Sequence, residues 1–102
     1  MIRALALFLG LVCLTGCGGA PVQEMSDARQ AIAAARVAGA PERAPGDFDA
    51  AEAAITRAET HLQAQEYTRA RIAALEAKHH AAVALGVAER AGPPPPQPAD
   101  TH

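Results

Sequence analysis

Two sets of side chains in this 102-residue chain carry chemistry beyond packing: the cysteines Cys13 and Cys17, and histidines and carboxylates spaced for one helix face. Glu76-Ala77-Lys78-His79 sets a carboxylate and an imidazole three residues apart, the i, i+3 element with which helical bundles hold a pair of iron ions. Such a centre needs a second pair and further inward carboxylates, which the chain does not offer. If the helices on either side of residue 65 form a hairpin, Glu52 comes near His79, so Glu52, Glu76 and His79 are the candidate ligands of a surface metal or small molecule. His61 would then lie several turns away and could not share their ion. The plainer expectation is polar pairing on a solvated helix, including His80 four residues after Glu76, with no metal and no other cofactor. The sole serine is Ser26, and no glycine-rich loop joins a strand to a helix, so no nucleophile with a base or phosphate cradle is expected and the chain does not read as an enzyme. Asp47 and Asp49 suit the start of a helix better than general acid and base work.

Cys17 has a more specific setting. Arg3 supplies a positive charge, and residues 4–12 form an apolar run of the length that secretory signal peptides use. A membrane-spanning helix needs roughly 20 consecutive apolar residues, and Gly16, Gly18, Gly19 and Pro21 close this run too early. At its edge Leu14-Thr15-Gly16-Cys17 resembles the lipobox of bacterial lipoproteins, in which the cysteine is acylated and becomes the mature N-terminus. The resemblance implies that residues 1–16 are a signal peptide, that Cys13 leaves with it, and that Cys17 carries lipid, leaving no free thiol and no disulfide. Each buried lipid methylene contributes about 0.8 kcal/mol, so two or three acyl chains, palmitate among them, make a durable anchor. Gly18 follows the cysteine in place of the aspartate that retains enterobacterial lipoproteins in the inner membrane. That implies the outer membrane, with the protein facing the periplasm.

The elements that would position these residues are read from composition and spacing. Half of the residues are hydrophobic but 3% are aromatic, and most of the apolar content is alanine, which favours close-packed helices around a thin core. Nine basic residues, scattered singly among eleven acidic ones, leave a net charge of −2 and no footprint for nucleic acid. Residues 17–21 read as a lipidated flexible tether, and residues 92–102, with Pro93 to Pro96 in a row, read as a disordered extended tail. Residues 22–91 are the foldable domain.

In that domain Met25, Ala28, Ile32 and Ala35 form one apolar stripe at three- and four-residue spacing, and Phe48, Ala51, Ile55, Ala58 and Leu62 form a second. The first helix is expected over 22–38, stopped by Gly39-Ala40-Pro41, with a loop completed by Ala44-Pro45-Gly46. Asp47 is the expected N-cap of a second helix over 48–64. Past Leu62 the stripe loses phase, and it restarts from Tyr67 as Ala70, Ala74, Ala77, Ala81 and Ala84. That break predicts a tight turn near residue 65 and a third helix over 67–91, with a single helix over 48–90 as the rival. Ile72, Leu75 and Val83 lie on a different arc, which either packs on the first helix to close a bundle, the commoner use, or stays open as a partner surface. Phe48 and Tyr67 fall at opposite ends of the hairpin, each a core plug or helix staple. The fold class is therefore all-α: an antiparallel helical hairpin or a small three-helix bundle, with a core thin enough for oligomerisation to help.

Residues 28–40, Ala44-Pro45 and Glu66-Tyr67-Thr68-Arg69-Ala70 resemble a family of short alanine-rich envelope lipoproteins known as a domain of unknown function, some of which precede an OmpA-like peptidoglycan-binding domain. In that family a glycine often sits just before the tyrosine segment, where this chain has Gln65-Glu66. No OmpA-like domain is expected after Gly92. Nor is the covalent peptidoglycan linkage of the coiled-coil lipoprotein that ends in lysine, since the one lysine here is Lys78. The resemblance implies a structural or protein-interaction lipoprotein, held to the membrane by lipid and partnered by another envelope protein or by itself. A periplasmic metal or small-ligand binding module is the alternative.

Overall fold

Alanine supplies the helix propensity, while Pro21, Gly39, Pro41 and Pro45 decide where helices start and stop. The structure is a computed structural model that describes residues 19–92, so the expected signal peptide, Cys17 and the proline run after Gly92 lie outside the described residues. Four helices follow one another: α1 (Val22–Val37), α2 (Ala40–Arg43), α3 (Pro45–Gln63) and α4 (Tyr67–Arg90). Among the described residues there is no strand.

The breaks differ from expectation in two places. Gly39, at φ 88°, takes the left-handed position that ends α1, and its N–H donates to the Arg36 carbonyl at 3.1 Å. The chain then forms the one-turn α2 instead of a loop. Pro41 allows this because it sits in the first turn, where its missing N–H would have had no helical partner. By the same logic α3 starts at Pro45, three residues before Phe48. Asp47 is therefore not the N-cap. It lies inside the first turn, where its charge still favours the exposed N–H groups, and no side chain caps the helix.

Between α3 and α4 the tight turn falls where the phase break put it, and the rival long helix does not form. Gln65 adopts φ 60°, and Glu66 N–H reaches back to the His61 carbonyl at 2.8 Å. Ion pairs fix the directions of the helices. Arg29–Glu59 and Arg36–Glu52 make α1 antiparallel to α3, while Glu24–Arg71 and Asp27–Lys78 make α1 parallel to α4. The result is an up-down-up bundle, with α2 closing the end where α1 stops.

Its core is mostly methyl groups. Ala70, Ala74, Ala77, Ala81, Ala84 and Ala88 of α4 are fully buried, and Ala73 widens their seam. Met25 and Ile32 of α1 and Phe48 and Ile55 of α3 are buried in the same cluster. Those four large side chains gain about 1.5–3 kcal/mol each from burial, and each buried alanine methyl adds about 0.8 kcal/mol. Because alanine lets backbones approach closely, α1 and α3 share one face of α4. The arc of Ile72, Leu75 and Val83 is consequently not used to close the bundle, contrary to the preferred expectation, and these residues are 54%, 50% and 37% exposed. Tyr67 is likewise no core plug, at 37% exposed, whereas Phe48 is buried. Leu62, at the end of the α3 stripe, is half-buried.

Candidate functional site

Cys17 itself lies outside the described residues, but residues 19–21 are packed on the bundle. Pro21 is fully buried, its carbonyl accepts the Met25 N–H at 3.0 Å, and the Val22 N–H donates to the Ala20 carbonyl at 2.8 Å. Arg71 of α4 donates from Nη2 to the Gly19 carbonyl at 3.3 Å and from Nε to Glu24 Oε1 at 3.2 Å. Residues 19–21, which the sequence places in a flexible tether, are thus held against the bundle. The fork of a guanidinium suits this double duty, binding a carboxylate and a carbonyl at once.

The candidate ligands Glu52, Glu76 and His79 are not brought together. Glu52 accepts a hydrogen bond from Arg36 at 2.5 Å, and the Arg36 guanidinium also lies 5.3 Å from the centre of the Phe48 ring. Glu76 accepts from Arg57 Nη2 at 2.9 Å across the α3–α4 interface. His79 is exposed on α4, its ring centre 5.7 Å from that of His80. His80 in turn faces Asp47 at 3.9 Å rather than Glu76. Among the described residues no group of three or more histidine, cysteine, aspartate or glutamate side chains is arranged to hold a metal ion.

A shallow crease near the turn is lined by Arg57, His61, Arg69, Ile72, Ala73 and Glu76. Its polar side chains are already engaged: Arg57 by Glu76, Arg69 by Glu66 at 3.6 Å, and the His61 ring by Glu66 at 3.1 Å. The hydrogen bond from His61 is the main reason the Glu66 carboxyl sits below its ordinary value of 4.5, with the positive charges of His61 and Arg69 acting in the same direction.

Sequence reading missed the α1–α3 ion pairs, although their signal was present. Arg29 and Arg36 stand seven residues apart, as do Glu52 and Glu59, and two antiparallel helices bring such pairs into register. The remaining distinctive surface is the outer arc of α4, where Ile72, Leu75 and Val83 are exposed on the side away from its buried alanine seam. No helix among the described residues is long and apolar enough to cross a membrane.

These features define a small alanine-rich helical-bundle domain whose helices are cross-linked at the surface by ion pairs. Residues 23–92 match the family described as a domain of unknown function, DUF4398, and the chain belongs to that family. Neither the curated proteins nor the solved structures include a match to it.

Proposed function

We propose that this protein is a lipid-anchored module of the bacterial cell envelope, acting by structure and protein interaction rather than by catalysis. Acylated Cys17 holds it to the membrane, on the periplasmic face of the outer membrane. The outer arc of α4 is the face offered to another envelope protein or to a second copy. The observation that carries this reading is Leu14-Thr15-Gly16-Cys17 closing the apolar run of residues 4–12 behind Arg3. Two further observations support it. Exposed Ile72, Leu75 and Val83 lie on one side of α4 and are not needed for its packing. The carboxylates that a ligand-binding role would use, Glu52 and Glu76, are already committed to Arg36 and Arg57.

The test is the intact mass of the protein recovered from the membrane fraction, together with the Cys17→Ala variant. The expected mass is that of a chain beginning at Cys17 and carrying acyl groups, and Cys17→Ala should move the protein out of the membrane fraction. A mature N-terminus at another residue, or a variant that stays as firmly membrane-bound as the parent, overturns the proposal.

A further inference from the structure

The chain enters the bundle at a defined end. Pro21 is buried, and the Gly19 carbonyl is held by Arg71, one turn into α4. That is the end at which α1 begins, α3 stops and the turn at Gln65 lies. Two chain steps separate Gly19 from Cys17, a reach of at most about 7 Å at 3.3–3.6 Å per residue. The 24 residues of α4 extend about 36 Å at 1.5 Å per residue, so residue 17 cannot reach the opposite end.

The geometry points to a fixed seating of the bundle on the bilayer: the end bearing the Gln65 turn, Tyr67 and Val22 rests on the membrane, and α2 with the C-terminus of α4 stands away from it. This inference rests on the acylation of Cys17 proposed above. One side chain of that end fits a lipid surface. Exposed valines stand at both ends, Val22 at 72% here and Val37 at 82% at the far end, but Tyr67, the first residue of α4 and the one exposed tyrosine or phenylalanine among the described residues, lies only here, beside the turn. A tyrosine with an apolar ring and a polar tip favours the headgroup region. Charge acts in the same sense. At this end Glu24 and Glu66 are matched by Arg71 and Arg69, leaving no net charge. The far end carries Glu42, Asp47, Asp49, Glu52 and Glu89 against Arg36, Arg43 and Arg90, an excess of carboxylate that an anionic leaflet repels. Arg43 donates to the Gly92 carbonyl at that far end, so Gly92 is held about 36 Å from the bilayer, at 1.5 Å of rise per residue of α4.

Tyr67 is the one tyrosine of the chain, which has no tryptophan, so its emission reports on this end alone. The experiment uses the full mature lipoprotein purified from membranes and inserted into vesicles of phosphatidylethanolamine and phosphatidylglycerol, with or without bromine on the acyl carbons nearest the headgroups. Tyr67 should lose most of its emission in the brominated vesicles and be shielded from aqueous iodide. In the variant Tyr67→Phe with Glu89→Tyr, which moves the reporter to an exposed site at the far end, bromine should have no effect and iodide should quench freely. An acylated protein whose Tyr67 is unquenched by bromine, or is quenched no more than the Glu89→Tyr reporter, overturns the seating while leaving the anchor in place. A preparation whose intact mass shows no acyl chains overturns the anchor and the seating together.

Discussion

Nδ1 of His61 lies 3.1 Å from Oε1 of Glu66, and the two residues bracket Gln65, the one non-glycine residue described with a left-handed φ. The Glu66 N–H also donates to the His61 carbonyl, so the turn from α3 into α4 is closed by one main-chain and one side-chain bond between the same two residues.

This bond should give the turn a measurable acid dependence. The Glu66 carboxyl is held below 4.5 in the folded protein, chiefly by the hydrogen bond from His61. A carboxyl whose folded value lies below its unfolded value contributes stability that is fully present above the unfolded value, and loses it as pH falls through the folded value. The group is exposed, so the effect is local to the turn. Carboxyl carbon titration by NMR should place the Glu66 midpoint below 4.5, and His61→Ala should raise it. A midpoint unchanged by His61→Ala would show that the bond does not act in solution.

Gln65 itself predicts a stabilising substitution. A residue with a Cβ in the left-handed region costs about 1–2 kcal/mol, and glycine gives back about 0.5–1 kcal/mol of that in chain entropy. Gln65→Gly should therefore raise stability by about 0.5–1 kcal/mol, read as a higher urea midpoint at unchanged slope. Gln65→Val should lower it, since a β-branched residue tolerates this region least.

How far the fold was legible follows from which residues report on their own surroundings. The stripes of Met25 to Ala35 and Phe48 to Ala58 are buried as their spacing requires, because an apolar residue every third or fourth position, with a large one every seventh, makes a face that water disfavours until a partner covers it. The turn was legible from loss of phase alone, without the glycine that usually marks such a site. Periodicity showed two apolar arcs on α4 but not which of them packs, because alanine is as content outside a core as inside one. The start of α3 was misplaced because Pro45 and Gly46 look like loop residues, yet proline at the first helical position needs no N–H partner. At the candidate site the heptad spacing of arginines and glutamates contained the answer, whereas matching residue types for a metal did not.

The burial of α4 by methyl groups predicts opposite outcomes on its two faces. Ala77 is fully buried where neighbouring helices approach, so Ala77→Leu forces extra volume into a packed seam and should cost about 1–3 kcal/mol or more. Replacing Ile72 and Leu75 together by serine touches residues half exposed to water and should change stability by about 0.5 kcal/mol at each site, about 1 kcal/mol for the pair. Thermal unfolding followed by circular dichroism distinguishes the two. If the paired serine variant were the more damaged, the outer arc rather than the alanine seam would be holding the bundle.

Arg36 serves two partners, and the share of each can be separated. Its pair with Glu52 is close, but both side chains are about half exposed, so the pair contributes about 0.2–1 kcal/mol. Its guanidinium also lies over the ring of buried Phe48, an attraction of about 0.5–1 kcal/mol at a surface site. Arg36→Ala should thus cost about 1–1.5 kcal/mol, and Glu52→Gln less than half of that. Arg36→Lys keeps the charge but loses the planar fork and stacking surface, so it should fall between the two. A double-mutant cycle on Arg36 and Glu52 in urea melts should return a coupling below about 1 kcal/mol that shrinks in high salt. Equal costs for Glu52→Gln and Arg36→Ala would assign the whole effect to the ion pair and none to the ring.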